Sequence, residues 1–438
     1  MAARDWTSCC VGDVAAPVKH ALVGGPFGSN LVTADYVSAG VPVIRGQNMG
    51  LGRWVGGEFV FVSYRKATAL SPNTARPGDL IFTQRGTLGQ VAIVPSGPFE
   101  RYIISQSQMK LTVDQKKADT LFLYYLFRSH KQQEYIRQNA IQTGVPHTNL
   151  GLLRDTPIEL PPLDEQRAIG HVLGSLDDKI ELNRRMNETL EQMARAIFKS
   201  WFVDFDPVRA KAEGRQPAGM DAQTAALFPE GFEESELGEI PRGWAVRGLD
   251  EIASYLNGLA LQKYPPEGDE YLPVIKIAQM HKGNTEGADR ASARLDPAYI
   301  VEDGDVLFSW SGSLEVMIWC GGRGALNQHL FKVTSEDYPK WFYYYWIRHH
   351  LPEFQAIAAG KATTMGHIQR HHLSEAWVVV PPEGTLKAMG RVMAPLVDRL
   401  VSNNLESRTL AAIRDALLPK LMSGEIRIAP SEPLERRV

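Results

Sequence analysis

"LDDKIELNRR" (residues 176–185) is answered 220 residues later by "LVDRLVSNN" (396–404). The strings align without a gap, Leu176 on Leu396, Asp178 on Asp398 and Asn183 on Asn403. Outward from the first string, Ile169, Leu173, Leu176, Ile180, Asn183, Asn187, Leu190, Ala194, Ile197 and Trp201 follow one another in alternating steps of four and three. That is a heptad seam, the mark of a helix that pairs with another helix. Its second copy runs Met389, Met393, Leu396, Leu400, Asn403, Ser407, Leu410, Arg414, Leu417 and Leu421. An unpartnered seam leaves an apolar stripe in water, so the two are expected to pack on each other. Asn183 and Asn403 then meet as amides that fix register. The alternative is two separate surface helices, each docked on its own domain. Pro161 and Pro162 precede the first helix, and Asp164 and Glu165 fall in its first turn, where negative charge suits the dipole. Pro395, aligned with Ser175 beside Gly174, is expected to kink or restart the second helix, so that both helices have a soft point at one level.

The duplication reaches further. "RPGDLIFTQRGTLGQVAIV" (76–94) is echoed by "EDGDVLFSWSGSLEVMIW" (302–319), and "ISQSQMKLTV" (104–113) by "ALNQHLFKVT" (325–334). "LFLYYLFRSH" (121–130) matches "WFYYYWIRHH" (341–350), and "TGVPHTN" (143–149) matches "TTMGHIQ" (363–369). The offset holds at 220 from Tyr124 to Trp201 and varies before that, which fits shared scaffolding beneath divergent working loops. The fold class expected is α+β: two domains in internal tandem repeat, each followed by a long helix, with the two helices forming a coiled coil. The divisions are 1–155, the first domain; 156–202, the central helix; 203–240, an ordered surface tether; 241–380, the second domain; 381–424, the distal helix; and 425–438, a tail. Leu80, Phe82, Val91, Ile93, Met109 and Leu111 alternate as in short strands between Gly-rich turns. The aromatic stretches near 121–136 and 341–357 have the spacing of core helices.

The 438 residues suffice for two or three domains, and no apolar run reaches a membrane span. The start has no export pattern. Three cysteines form neither a disulfide framework nor a four-ligand zinc site, so a cytoplasmic location is expected. The net charge of −3 argues against indiscriminate nucleic-acid binding, yet residues 1–155 carry +6, which fits a polyanion surface, and residues 156–240 carry −8.

No catalytic constellation stands out. A phosphate loop is absent, "GGPFGSN" (24–30) reads as a plain loop, and no Asn-Pro-Pro-aromatic or Asp-Pro-Pro-aromatic string is present to grip an amino group during methyl transfer. His349–His350 and His371–His372 lack a cysteine or an i,i+4 histidine to complete a ligand set. No metal site or catalytic residue is assigned. The front loops suit DNA instead. The tip of "DLIFTQRGTLGQVAIV" offers Gln84, Arg85 and Thr87; arginine bonds guanine and glutamine bonds adenine bidentately in the major groove. "SQSQ" adds Gln106 and Gln108, and "TGVPHTN" adds Thr143, His147, Thr148 and Asn149. The echoes supply Ser309, Ser311, Ser313 and Asn327, then Lys361, Thr363, Thr364, His367 and Gln369.

With these motifs in view the chain resembles the specificity (S) subunit of type I restriction–modification systems. The resemblance rests on residues 160–214, "LPPLDEQRAIGHVLGSLDDKIELNRRMNETLEQMARAIFKSWFVDFDPVRAKAEG", and on "LLPKLMSGEIRI" (417–428), with "GDLIFTQRGTLG" (78–89) and "FPEGFEESELGEIPRGW" (228–244) adding to it. It implies two target-recognition domains in tandem repeat, each reading half of a split double-stranded DNA target, separated by the two long antiparallel helices forming a coiled coil. It also implies a non-catalytic scaffold for two modification (M) subunits, which bind S-adenosylmethionine, and for motor-nuclease (R) subunits, which use ATP and Mg. No cofactor is expected on this chain, and no membrane. The central helix then acts as a ruler; residues 163–201 span ~58 Å at ~1.5 Å per residue. A stand-alone DNA-binding regulator would bind its site tightly without partners, and a self-contained modifying enzyme would transfer methyl groups alone.

Overall fold

The computed structural model describes residues 6–50, 52–141, 146–360 and 366–428. The chain divides into two compact units, Met1–Ile180 with Leu410–Val438, and Glu181–Thr409. Two 40-residue helices, the central helix Leu163–Phe202 and the distal helix Glu383–Met422, each contribute one part to each unit. No helix among the described residues is long and apolar enough to cross a membrane.

In the first unit Thr7–Cys10 pairs antiparallel with Pro157–Leu160, closing the front of the repeat onto its back. A four-stranded antiparallel sheet follows the order Leu22–Gly24, Gln108–Leu111, Leu80–Thr83, Val91–Ile93. A five-stranded sheet follows the order Tyr36–Val37, Val60–Val62, Val41–Ile44, Tyr102–Ile104, Thr74–Ala75, with one parallel pair, Val43 opposite Ile103. Leu80–Thr83 is buried along its whole length because both faces are covered. Leu80 and Phe82 pack with Val91, Ile93, Met109 and Leu111 against the aromatic helix, while Ile81 joins the core around Ile44 and Tyr102. The aromatic stretch forms two helices, Thr120–Arg128 and His130–Asn139, divided at Ser129. Asp119 caps the first by accepting from the Phe122 N–H at 2.8 Å, and Phe122–Phe127 are buried.

The second unit repeats this plan. Ala245–Gly248 pairs with Trp377–Val380; one sheet runs Ser254–Asn257, Leu330–Thr334, Val306–Ser309, Val316–Ile318. The other runs Arg290–Ser292, Tyr271–Ile275, Gly324–Leu326, Ile300–Val301, again with one parallel pair, Val274 opposite Ala325. Strand matches strand, and the edge strand Tyr36–Val37 is an addition of the first unit. The aromatic helix is here one element, Lys340–Gly360, which accommodates Pro352. The segment read as a surface tether is anchored in this unit's core: Phe205 and Phe228 are buried against Trp201, Phe202 and Trp244. Its isolated aromatics are the anchors.

The seam positions of both helices are buried or half-buried, and the exposed apolar residues Leu182, Met193 and Ile413 lie off the seam. In the first unit Ile169 and Leu173 share a core with Leu417, Leu421 and Met422. In the second, Asn183 Nδ2 donates to Glu406 Oε2 at 2.8 Å, Ser407 Oγ at 3.3 Å and the Asn403 carbonyl at 3.4 Å. Asn403 Nδ2 donates in turn to Asn187 Oδ1 at 2.8 Å, and Asn187 Nδ2 to the Leu400 carbonyl at 3.2 Å. Two expectations need correcting. The distal helix is continuous through the solvent-exposed Pro395 and so does not restart there. Gly174 is a place of close approach and not a soft point. A Cβ there would lie 2.8 Å from Leu121 Cδ2, and its carbonyl accepts from Arg53 Nη1 at 3.2 Å.

Candidate nucleic-acid interface

The tip that joins Leu80–Thr83 to Val91–Ile93 is tied into place through its backbone. The N–H of Gln84 donates to the Ser107 carbonyl at 2.7 Å, and the Thr148 N–H donates to the Gln84 carbonyl at 3.0 Å. Arg85 bridges antiparallel to His147, which in turn bridges Ile141. Three segments far apart in sequence therefore meet at Gln84: the tip, the Ser105–Gln108 turn and the loop ending at Asn149. A fourth joins them. Gly25 N–H donates to the Gln108 carbonyl at 2.8 Å, and a Cβ on Gly25 would fall 2.0 Å from the Ser105 carbonyl oxygen. Only glycine permits that approach.

The second unit uses the same cross-links. The Ile368 N–H donates to the Trp310 carbonyl at 3.0 Å, the Gly312 N–H to the Gly366 carbonyl at 2.8 Å, and Ser311 bridges antiparallel to His367. Gly258 repeats Gly25: its N–H donates to the Leu330 carbonyl at 3.0 Å, and a Cβ would fall 2.3 Å from the Asn327 carbonyl oxygen. Side-chain chemistry is what changes. Trp310 stands where the first unit has Gln84, Ser311 where it has Arg85, and His329 where it has Ser107. Trp310 Nε1 donates to Asn257 Oδ1 at 3.0 Å and the Gln328 carbonyl at 3.2 Å, with His329 and His367 packed around its ring. Ser311 Oγ lies 2.8 Å from His329 Nδ1.

The sites expected from sequence fall into three groups. Arg85, Thr87, Gln106 and Ser313 are exposed, and Gln84, His147, Asn149 and His367 are half-buried beside them. The Gln106 amide is turned back, Nε2 donating to the Gly28 and Leu31 carbonyls. Gln108, Thr148, Ser309, Ser311 and Asn327 are buried. Ser309 Oγ is spent on the Ser313 carbonyl at 2.7 Å, Asn327 Oδ1 accepts from the His329 N–H at 3.2 Å, and Gln108 Oε1 accepts from Ser105 Oγ. These polar residues brace the loops from within. Thr143, Lys361, Thr363 and Thr364 lie outside the described residues. Asn149 caps the short helix Leu150–Arg154, accepting from the Leu152 N–H at 2.9 Å. Sequence reasoning missed Trp310 and His329. The signal that could have found them is the aligned offset, which places them at Gln84 and Ser107.

Behind each tip strand sits an ion pair, buried in the first unit and half-buried in the second. Lys110 Nζ lies 3.7 Å from Asp79 Oδ2, and Lys332 Nζ lies 2.8 Å from Asp305 Oδ2. Burial pushes the Asp79 carboxyl above its ordinary value, against the pull of Lys110, and pushes Lys110 below its own. Each pair braces a strand pair below the tip. One ligand-like cluster occurs among the described residues: the structure adds Glu375, four residues on, to His371 and His372, their ligand atoms within 4.8 Å of one another. His372 Nδ1 already accepts from the Gln369 N–H at 2.9 Å. What the two tips offer is an exposed guanidinium with a neighbouring amide in one unit, and a half-buried tryptophan between half-buried histidines in the other, with Ser311 buried behind them. These groups suit base edges and phosphates.

The family model for the type I restriction modification DNA specificity domain matches residues 42–192 and 241–413. The chain is 25% identical over 367 residues to the type I restriction enzyme MjaIX specificity subunit of Methanocaldococcus jannaschii, covering 80% of this chain and 78% of that protein. It is 25% identical over 401 residues to the HindI specificity subunit of Haemophilus influenzae, covering 80% and 87%. The crystal structure of the S subunit from M. genitalium shares the fold, with a TM-score of 0.55 at 16% identity over 96% of this chain and 97% of that one. The duplicated domain, matched in both copies, places this chain in the family of type I restriction–modification specificity subunits, the non-catalytic DNA-recognition components of those systems.

Proposed function

We propose that the chain reads a bipartite double-stranded DNA target, one half-site with each unit, and brings catalysis to it through partners. The observation that carries this reading is the repeated loop frame bearing different side chains: Gln84 and Arg85 in one unit, Trp310 and Ser311 in the other, on matching backbone cross-links. A common frame with divergent tips suits two readers of different base sequences on one kind of duplex. The seams and their Asn183–Asn403 contacts favour an antiparallel coiled coil as the spacer between readers. The internal repeat offers equivalent docking surfaces to two methyltransferase (M) subunits, which carry S-adenosylmethionine, and R subunits bring ATP and Mg for restriction. This chain binds none of those cofactors itself and works in the cytoplasm.

Two exchanges test the reading by methylome sequencing of cells expressing the complex. Replacing residues 241–380 with another recognition domain changes one half-site and leaves the other intact. Arg85→Ala relaxes a base in the opposite half-site, a loss of about 1–3 kcal/mol of discrimination. A swap that alters both half-sites, or neither, overturns the assignment.

A further inference from the structure

We infer that Phe27 is a DNA wedge, an aromatic side chain that enters the base stack at the edge of the half-site read by the first unit. This rests on the reading that Gln84 and Arg85 face DNA. Phe27 is 90% exposed, an unusual place for a large apolar ring, and it stands on the Gly-rich loop that meets the tip frame. The loop is built to hold it out. Pro26, just before it, is buried, and the Gly25 N–H donates to the Gln108 carbonyl at 2.8 Å. On the far side Gln106 Nε2 donates to the Gly28 and Leu31 carbonyls, the latter at 3.1 Å, and the Asn30 N–H donates to the Phe27 carbonyl at 3.0 Å. Gly28 takes φ +53°, which turns the chain back directly after the ring. The loop is also next to the reading residues: a Cβ on Gly24 would lie 3.8 Å from Gln84 Oε1.

A ring carried on a backbone held in this way is presented without the loop having to reorganise. Apolar wedges enter between base steps, unstack them and kink the duplex, and any base offers a π-face to an aromatic ring. A protein partner is the other possible cover for such a ring. The adjacency of Gln84 and the polar, small-residue surroundings Gly28, Ser29 and Asn30 favour DNA, since a protein interface centred on Phe27 would call for further apolar residues around it. The position matching Phe27 in the second unit carries no ring. By its backbone bonds Gly258 is the counterpart of Gly25, which puts half-buried Ala260 where the first unit has Phe27. Unstacking is therefore confined to one half-site.

The test uses the full chain copurified with its methyltransferase subunits. The DNA is a duplex carrying the methylation motif found by methylome sequencing, with thymines placed in turn across and beside both half-sites. Permanganate, which oxidises unstacked thymines, is expected to reveal one reactive step beside the half-site that changes in Arg85→Ala. Phe27→Ala abolishes that reactivity and weakens binding by about ten- to a hundredfold, the range of one base–aromatic stack, while Phe27→Trp keeps both. Absence of a reactive step in the native complex, or its persistence in Phe27→Ala, overturns the wedge. So does a Phe27→Ala chain that no longer copurifies the methyltransferase, because the ring then serves a protein contact. If Arg85→Ala shifts the motif while Phe27→Ala changes nothing, the wedge alone falls. If neither variant alters DNA binding or site choice, the DNA-facing assignment falls with it.

Discussion

Removal of one carboxylate, Asp177→Ala, probes how the central helix is bound into the first unit. Asp177 Oδ2 accepts from the Tyr125 hydroxyl at 2.6 Å, and Oδ1 lies 2.6 Å from Arg414 Nη1; the Asp177 and Arg414 side chains are only 12% and 16% exposed. Burial, reinforced by the Asp177 charge, holds the Tyr125 hydroxyl well above its ordinary pKa. Burial works against the Arg414 charge, but the hydrogen bonds and charges of Asp177 and Asp415 together outweigh it and raise its pKa. Truncating Asp177 therefore strands a half-buried cation and a buried hydroxyl together. Breaking a buried pair from one side costs about 3–5 kcal/mol. Asp415, 2.8 Å from Arg414 Nη2 and mostly exposed, softens the loss, so about 3 kcal/mol is expected. Arg414 occupies a seam position, so Arg414→Leu in the same chain removes the stranded charge and extends the apolar seam. The double variant should recover to within about 1 kcal/mol of the native chain, a coupling of about 2 kcal/mol. Hydrogen exchange of the Phe122–Phe127 amides, measured where exchange reports the opening equilibrium, reads this directly. Unchanged protection in Asp177→Ala, or a double variant as weak as the single one, would refute the argument.

Three further outcomes follow from the two helices. Asn183→Leu with Asn403→Leu removes two buried amide oxygens that find no partner among the described residues; urea unfolding should show equal or up to about 2 kcal/mol greater stability, and a clear loss would mean the amides stabilise as well as align. Hydrogen bonds from Arg184, then Arg185, hold the Glu181 carboxyl at about 2 against an ordinary 4.5, outweighing burial. Its stabilisation is complete above pH 4.5 and disappears as pH falls toward 2, so Glu181→Gln should flatten that acid limb by no more than about 1 kcal/mol for so solvated a pair. Inserting four residues, about one turn, in the central helix adds ~6 Å and should lengthen the unread DNA spacer by one or two base pairs at ~3.4 Å each; a methylome with an unchanged spacer would rule out the ruler.

The seam was legible because heptad spacing is a local property: which side of a helix is apolar needs no knowledge of the rest of the chain. What stands against that side is a tertiary fact. Arg414 looks like a flaw in the seam until Asp177, 237 residues away, is seen to neutralise it. The repeat misleads at a related point. Tyr125 and Tyr345 are exact repeats at 220, and each hydroxyl donates to a carboxylate of the central helix, Asp177 at 2.6 Å and Glu191 at 3.0 Å. Those carboxylates are not repeats of each other; sequence symmetry would have sought the second partner on the distal helix, at Val397. One helix supplies both anchors.

The loops at the tips show the converse. Residue type disclosed that the tips are polar, and the tips are where the exposed Arg85 and Thr87 stand. It could not disclose which polar side chains are spent internally. Gln108 and Ser309 sit on strands with both faces covered, so their side chains turn to Ser105 and to the Ser313 carbonyl. Ring exposure is equally invisible in sequence: the aromatic stretches are buried as their helical spacing implies, whereas Phe27, inside a loop with no periodicity, is held in solvent. A glycine such as Gly25 or Gly258 then becomes informative only once its neighbour is known: a Cβ there would fall 2.0 or 2.3 Å from a carbonyl oxygen, so its absence is what lets each loop lie against its tip. Function in this chain is therefore divided by physical kind. Periodic apolar spacing sets the frame and repeats faithfully, while the side chains proposed to choose a DNA sequence occupy turns whose backbone is held by hydrogen bonds that any side chain permits. Such positions can diverge without cost to the fold, which is why Gln84 and Arg85 could become Trp310 and Ser311 while the same carbonyl–amide bond to residue 148 or 368 persisted.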